Sequence, residues 1–149
     1  MPKTKRYVIH ADVEEKKAPP IAFQLSEEFI RGAGEPQEVL LFIPQLGSFP
    51  DALEEALGKA ASRRLKENGF VRFKDQGKLR LETRRTFKKW KGPANIVIGI
   101  YVTKEMLDQI DSTRNSKAVI IVPWHMDDLT GWVSKWNPEI ISGPKDEQS

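Results

Sequence analysis

The chain reads as an α/β protein, a Rossmann-like three-layer arrangement around a mixed sheet, with a basic β-hairpin inserted or set at the sheet edge. Three observations predict it. Continuous apolar runs at 39–43, 95–102 and 117–123 have the composition of strands buried on both faces, as in parallel sheets. Segments of helical spacing follow each of them. Between the first and second run lies a pair of alternating segments around Asp75-Gln76-Gly77, the pattern of a hairpin.

Taken in order, residues 5–13 predict a strand, ended by the charged run 14–17 and by Pro19-Pro20. Residues 21–25 predict a second short strand, and Ser26 with Glu27 and Glu28 the start of a brief helix closed by Gly32 and Gly34. The run 39–43 is the next strand. After the loop 44–49, Pro50 and Asp51 suit a first helical turn. Leu53, Ala56, Leu57, Ala60, Ala61, Arg64 and Leu65 then keep helical spacing, which predicts one amphipathic helix of about four turns ending at Asn68-Gly69. Residues 70–73 and 78–83 flank the three-residue hairpin loop, with Gly77 in its final, left-handed position. Residues 87–93 read as a basic aromatic loop. The strand 95–102 leads to Thr103, a cap for a short helix carrying Met106, Leu107 and Ile110. The strand 117–123 leads to a last helix whose apolar face holds Leu129, Trp132, Val133 and Trp136, stopped by Pro138. One domain over 1–141 and a mobile polar tail over 142–149 complete the expectation.

Composition narrows the function classes. A chain of 149 residues with 39% hydrophobic and 30% charged residues is an ordinary globular one. It has no Cys, so disulfides, thiolate metal sites and cysteine catalysis are excluded. No apolar run approaches the ~20 residues of a membrane helix, and the short run after Arg6 is no secretory signal. A cytoplasmic location and no membrane partner are expected. The net charge of +3 conceals an uneven distribution. From Lys59 to Lys91 there are thirteen Lys or Arg and three acids, a segment charge of +10, which leaves −7 on the rest. Such asymmetry points to a polyanionic partner.

The hairpin register decides what those cations do. A loop of residues 75–77 sets Lys74 opposite Lys78, Phe73 opposite Leu79, Arg72 opposite Arg80 and Val71 opposite Leu81. Alternation then gives one packing face (Val71, Phe73, Leu79, Leu81) and one basic face (Arg72, Lys74, Lys78, Arg80). Like charges directly across a strand pair destabilise it by a few tenths of a kcal/mol upward, a conflict that an external polyanion relieves. Arg63 precedes the patch; Arg84, Arg85, Lys88 and Lys89 extend it. Trp90 interrupts the cations in a manner suited to stacking on unpaired bases. The sequence thus predicts a non-catalytic nucleic-acid-binding module, DNA or RNA, that docks a basic hairpin on the phosphate backbone. An acidic protein is the other partner for this surface, in a protein-interaction subunit.

A second candidate lies at the carboxyl ends of the strands, where open α/β sheets bind ligands. If the three apolar strands are parallel, the loops after them converge. Ser48 and Thr103 then stand at helix N-termini that favour phosphate. His125, Asp127 and Asp128 are the candidate catalytic groups of a small enzyme or nucleotide-sensing domain. Each has a structural explanation as well: Ser48 and Thr103 as caps, Asp127 and Asp128 as acids at a helix start, His125 as a lone histidine. Gly58-Lys59-Ala60 lacks the hydroxyl and the upstream Gly of a phosphate-binding P-loop. G-x-G-x-x-G, G-x-S-x-G and H-E-x-x-H do not occur. No cofactor and no metal site are expected.

Overall fold

The computed structural model describes residues 4–45, 50–73, 77–87, 95–112 and 116–142. Seven strands form one sheet in the order β3-β4-β2-β5-β6-β1-β7. They are β1 (Lys5–Ile9), β2 (Gln37–Ile43), β3 (Phe70–Phe73), β4 (Gly77–Thr83), β5 (Ile96–Val102), β6 (Ala118–Pro123) and β7 (Glu139–Ile141). Every pairing is parallel except that of the edge strand β3 with β4. The helices are α1 (Ala18–Ala33), α2 (Asp51–Leu57), α3 (Lys59–Asn68), α4 (Arg84–Phe87), α5 (Lys104–Asp111) and α6 (Thr130–Trp136), with a 3-10 turn at Met126–Leu129. Among the described residues no helix is long and apolar enough to cross a membrane.

Strand alternation sorts the core into two layers. Val39, Leu41 and Ile43 of β2, Ile96, Ile98 and Ile100 of β5, and Ala118, Ile120 and Val122 of β6 face Ala22, Phe23 and Ile30 of α1, Leu53 of α2 and Leu65 of α3. Leu40 and Phe42, Val97, Val119 and Ile121 face the other way, against Phe87 of α4, Met106, Leu107 and Ile110 of α5, and Trp132 of α6. Helices therefore cover both faces of the sheet, which is why the central strands are continuously apolar.

The N-terminal third differs from the reading of a short strand followed by a brief helix. Residues 18–33 form one helix of 16 residues, with proline in its first turn and Gly34 (φ 71°) as its left-handed C-cap. Proline there loses only an N–H that has no helical partner, so Pro19 and Pro20 start the helix rather than forbid it. Ala22, Phe23, Ser26 and Ile30 are its buried stripe. The predicted four-turn helix is instead two, α2 and α3, broken at Gly58, whose φ of 91° and ψ of 154° no helix contains. The strand β7 was not among the expected elements; it is three residues long and pairs with β1 at the far edge. The expected cap is present, with Thr103 Oγ1 accepting from the Met106 N–H at 3.2 Å.

One carboxylate ties the last helices together. Asp111, at the end of α5, accepts from Trp132 Nε1 (2.9 Å) and from Trp136 Nε1 (3.2 Å), and Lys135 Nζ stands 3.7 Å away. Arg6 stacks on Trp136, with its guanidinium carbon 3.6 Å from the ring centroid. Burial holds the Arg6 guanidinium below its ordinary pKa, and the charge of Asp111 opposes that shift. Removing the carboxylate leaves the N–H of the buried Trp132 without its acceptor. Asp111→Ala is expected to cost about 2 kcal/mol or more, as for charge-assisted hydrogen bonds, and Asp111→Asn less. Urea unfolding checks this, and an unchanged midpoint for the alanine variant would show that Asp111 does not hold α5 to α6.

Candidate functional sites: a basic sheet edge and a strand-end crevice

The hairpin pairs Phe70 with Arg80, Val71 with Leu79, Arg72 with Lys78 and Phe73 with Gly77. This register is two residues away from the expected one, because Gly77 already belongs to β4 instead of closing the loop. Gly77 does not have positive φ. It is required by close approach: a Cβ there would stand 2.4 Å from the Phe73 carbonyl oxygen and 2.9 Å from Ile30 Cδ1. A shift of two preserves the side-chain faces. Val71, Phe73, Leu79 and Leu81 pack into the first core layer, and Arg72, Lys78 and Arg80 lie on the opposite face.

The new register changes the neighbours of those cations. Arg72 and Lys78 are the one like-charge pair across the described part of the hairpin, and Lys78 has Glu38 beside it on β2. Arg80 stands opposite Phe70 instead of Arg72. Phe70 is 44% exposed, with Lys78 Nζ 4.4 Å and the Arg80 guanidinium carbon 5.7 Å from its ring centroid. An exposed ring held among cations is a feature the sequence reading missed. A hollow of about 530 Å³ adjoins this face, bordered by Arg72 and Lys78 and by Gln37 and Glu38. Arg84 and Arg85 follow on α4, Arg84 within 4.0 Å of Glu105. Arg63 is apart from them: it is exposed on α3, in the helical layer covering the other face of the sheet. Lys74, Lys88, Lys89 and Trp90 lie outside the described residues.

The second candidate site is also present as a cavity. The strands β1, β5 and β6 are parallel and adjacent, or separated by one neighbour, so their carboxyl ends meet. At those ends lie two adjoining hollows of about 290 and 390 Å³, both bordered by Glu15, Tyr101 and Trp124. His10 and His125 line the first; Thr103 and Asp128 line the second. Asp127 is exposed next to it, and Ser48 lies outside the described residues. Among the described residues no group of three or more His, Asp or Glu is placed to hold a metal ion.

Tyr101 shapes this crevice. The pairing of β5 with β6 slips between Ile100 and Val102, and Tyr101 takes a left-handed backbone, φ 53°. Val102 continues the second core layer while Tyr101 packs against the first. The bulge re-aims the Tyr101 ring toward the ends of β1 and β6, as bulges beside sites do. A left-handed aromatic residue costs on the order of 1–3 kcal/mol and persists only where the surroundings fix it. Here they include the Tyr101 hydroxyl donating to Glu15 Oε1 at 3.0 Å. They also include Trp124, whose ring is 4.6 Å away at 79°. Trp124 is 53% exposed. On the other wall, His10 Nδ1 accepts from the Asp12 N–H at 3.0 Å, with Asp12 Oδ1 at the same distance. Strand-end reasoning found His125 and Thr103 but not His10 and Glu15, which lie at and after the end of β1, nor Tyr101, which the bulge in β5 turns into the crevice.

No protein-family model matches the chain, and no curated protein matches it. Among solved structures it is similar to the large terminase of a thermophilic bacteriophage. A crystal form in complex with ADP gives a TM-score of 0.58 at 12% identity, over 95% of this chain and 40% of the terminase chain. Another crystal form of the same terminase gives 0.55 at 12% identity, over 93% and 40%. The likeness is one of fold. It bears out the Rossmann-like three-layer architecture, and this chain spans about 40% of the terminase chains it matches.

The phenol of Tyr101 is held well above the ordinary tyrosine pKa, first by burial, then by its hydrogen bond to Glu15 and that residue's charge. Tyr7 is shifted in the same direction, also first by burial. A raised folded-state pKa stabilises the fold fully below the unfolded value of about 10 and is lost as pH rises above it. Stability is therefore expected to fall above about pH 10, less steeply in Tyr101→Phe. Denaturant unfolding at several alkaline pH values measures this, and equal slopes would mean that Tyr101 ionises as freely folded as unfolded.

Proposed function

We propose that this protein binds nucleic acid through the open face of its β3–β4 edge. The observation that carries the reading is Phe70, an exposed ring on the edge strand flanked by Arg72, Lys78 and Arg80. Cations of a sheet face meet phosphates regardless of base sequence. An aromatic ring among them adds stacking, which single strands offer and intact duplexes do not. The hollow bordered by Glu35, Gln37, Glu38, Arg72 and Lys78 gives an unstacked base a place next to two of those cations. Glu38 and Glu82 share this face of the sheet and limit its positive charge, so the reading favours a single strand held by few phosphates over a duplex gripped by many. The terminase of similar fold suits a nucleic-acid-handling role, and one of its crystal forms carries ADP.

Binding to labelled single- and double-stranded DNA and RNA, measured across ~50–200 mM salt, tests the proposal. Affinity is expected to fall steeply with salt. Phe70→Ala is expected to weaken single-strand binding by roughly 1–3 kcal/mol, the worth of one stacked base, with little effect on duplex. Arg72→Glu is expected to weaken both. Both residues are exposed on an edge strand, so thermal unfolding should remain near that of the parent. Unchanged affinity in both variants would remove this surface from the function.

A further inference from the structure

The strand-end crevice has a chemistry opposite to that of the hairpin. Glu15 and Asp128 are among the described residues that border it, and no Lys or Arg is. The lysines that follow Glu15 in the chain, Lys16 and Lys17, pair with Glu55 and Glu14. A phosphate ligand requires cations or a cradle of unpaired N–H groups. At the start of α5, which borders the crevice through Thr103, the Met106 N–H is already taken by Thr103 Oγ1.

The rings and the carboxylate suit the reverse charge. Tyr101 and Trp124 meet nearly at a right angle, 4.6 Å between centroids, and form a corner whose faces carry the negative side of their quadrupoles. Half of Trp124 is exposed in this corner, where no core packing requires an indole. Glu15 is exposed at the border of both hollows and is held by the Tyr101 hydroxyl at 3.0 Å. That bond comes from a neutral donor and positions the carboxylate. The bulge that turns Tyr101 toward the crevice keeps a left-handed backbone in place for this arrangement.

We propose that the crevice binds a small organic cation, an alkylammonium or guanidinium group, against Trp124 and Tyr101 with its charge met by Glu15. Cation–π attraction from the rings and the charge of the Glu15 carboxylate act on the same group, and aromatic surroundings are what recognise such cations elsewhere. Either a free amine or the side chain of a peptide could present it, and the two differ in what surrounds the cation. The site is independent of the nucleic-acid face, and neither depends on the other.

Calorimetric titration of the nuclease-treated full chain with agmatine, tetramethylammonium, a short arginine-containing peptide and ADP tests this. Agmatine and tetramethylammonium are expected to bind, and ADP is expected not to displace them. Glu15→Gln keeps an acceptor for the Tyr101 hydroxyl and should weaken agmatine at least about tenfold, the scale of one charged partner lost. Trp124→Ala should weaken both cations by a similar factor, with melting temperatures near the parent's. Tighter binding of the peptide than of agmatine identifies a side-chain source; the reverse order identifies a free cation. No cation binding, ADP binding in its place, or cation binding that survives both substitutions would overturn the proposal.

Discussion

The structure depends on burying the central parallel strands on both faces. Val39 to Ile43, Ile96 to Ile100 and Ala118 to Val122 present apolar side chains to each side of the sheet, so water must be kept from both. Each connection must then supply a helix to one face or the other. The connections after β1 and β2 supply α1, α2 and α3 to the first face; those after β4, β5 and β6 supply α4, α5 and α6 to the second. Where neighbouring strands send their connections to opposite faces, the loops part. That happens between β6 and β1, between β2 and β5 and between β4 and β2, and the crevice opens along the ends of the first two pairs. Its position is thus a consequence of topology, as in other open α/β sheets, and needs no residue of special chemistry.

The same requirement lapses at the edge. Beyond β4 the sheet has only β3, and its first face is closed by Val71, Phe73, Leu79 and Leu81 against α1 and α3. The second face of the hairpin is where Phe70 and the basic residues meet water. The uneven charge of the chain becomes a separation in space: cations at the β3–β4 edge, carboxylates at the carboxyl ends of β1 and β6. These places lie at different ends and edges of one sheet.

Much of the fold is legible in the sequence, for a physical reason in each case. The strands β2, β5 and β6 are visible because burial on both faces makes their runs continuous. α5 is visible through its cap at Thr103, and the hairpin through its alternation. The two faces of the hairpin survive a register error of two because the side-chain period is also two. What was not legible involves competition between local signals and tertiary context. Pro19-Pro20 signals a break and also suits a first turn, and burial of Ala22, Phe23, Ser26 and Ile30 decides for the helix. Gly58 sits inside an unbroken helical stripe, and only the backbone shows that the helix ends there. The bulge at Tyr101 is marked in the sequence only by Gly99, where a Cβ would stand 2.6 Å from Val102 Cγ1; Ile-Gly-Ile-Tyr-Val otherwise continues the strand pattern through it.

That last point separates where a site lies from what it holds. The position of the crevice follows from strand order, within a fold that this chain shares at low identity with a terminase that carries ADP. Its lining does not follow from strand order. One residue of slip at Tyr101 turns an aromatic ring from one face of the sheet to the crevice, and Glu15 arrives from the segment after β1, outside any strand. Strand-end residues alone would suggest phosphate, through the helix start at Thr103. With Tyr101, Trp124 and Glu15 included, the ligand we propose is instead a cation. A shared fold places a cavity at the carboxyl ends of the sheet; the charges and rings at its wall, set by bulges and loops that fold comparison does not weigh, decide which ligand that cavity can accept.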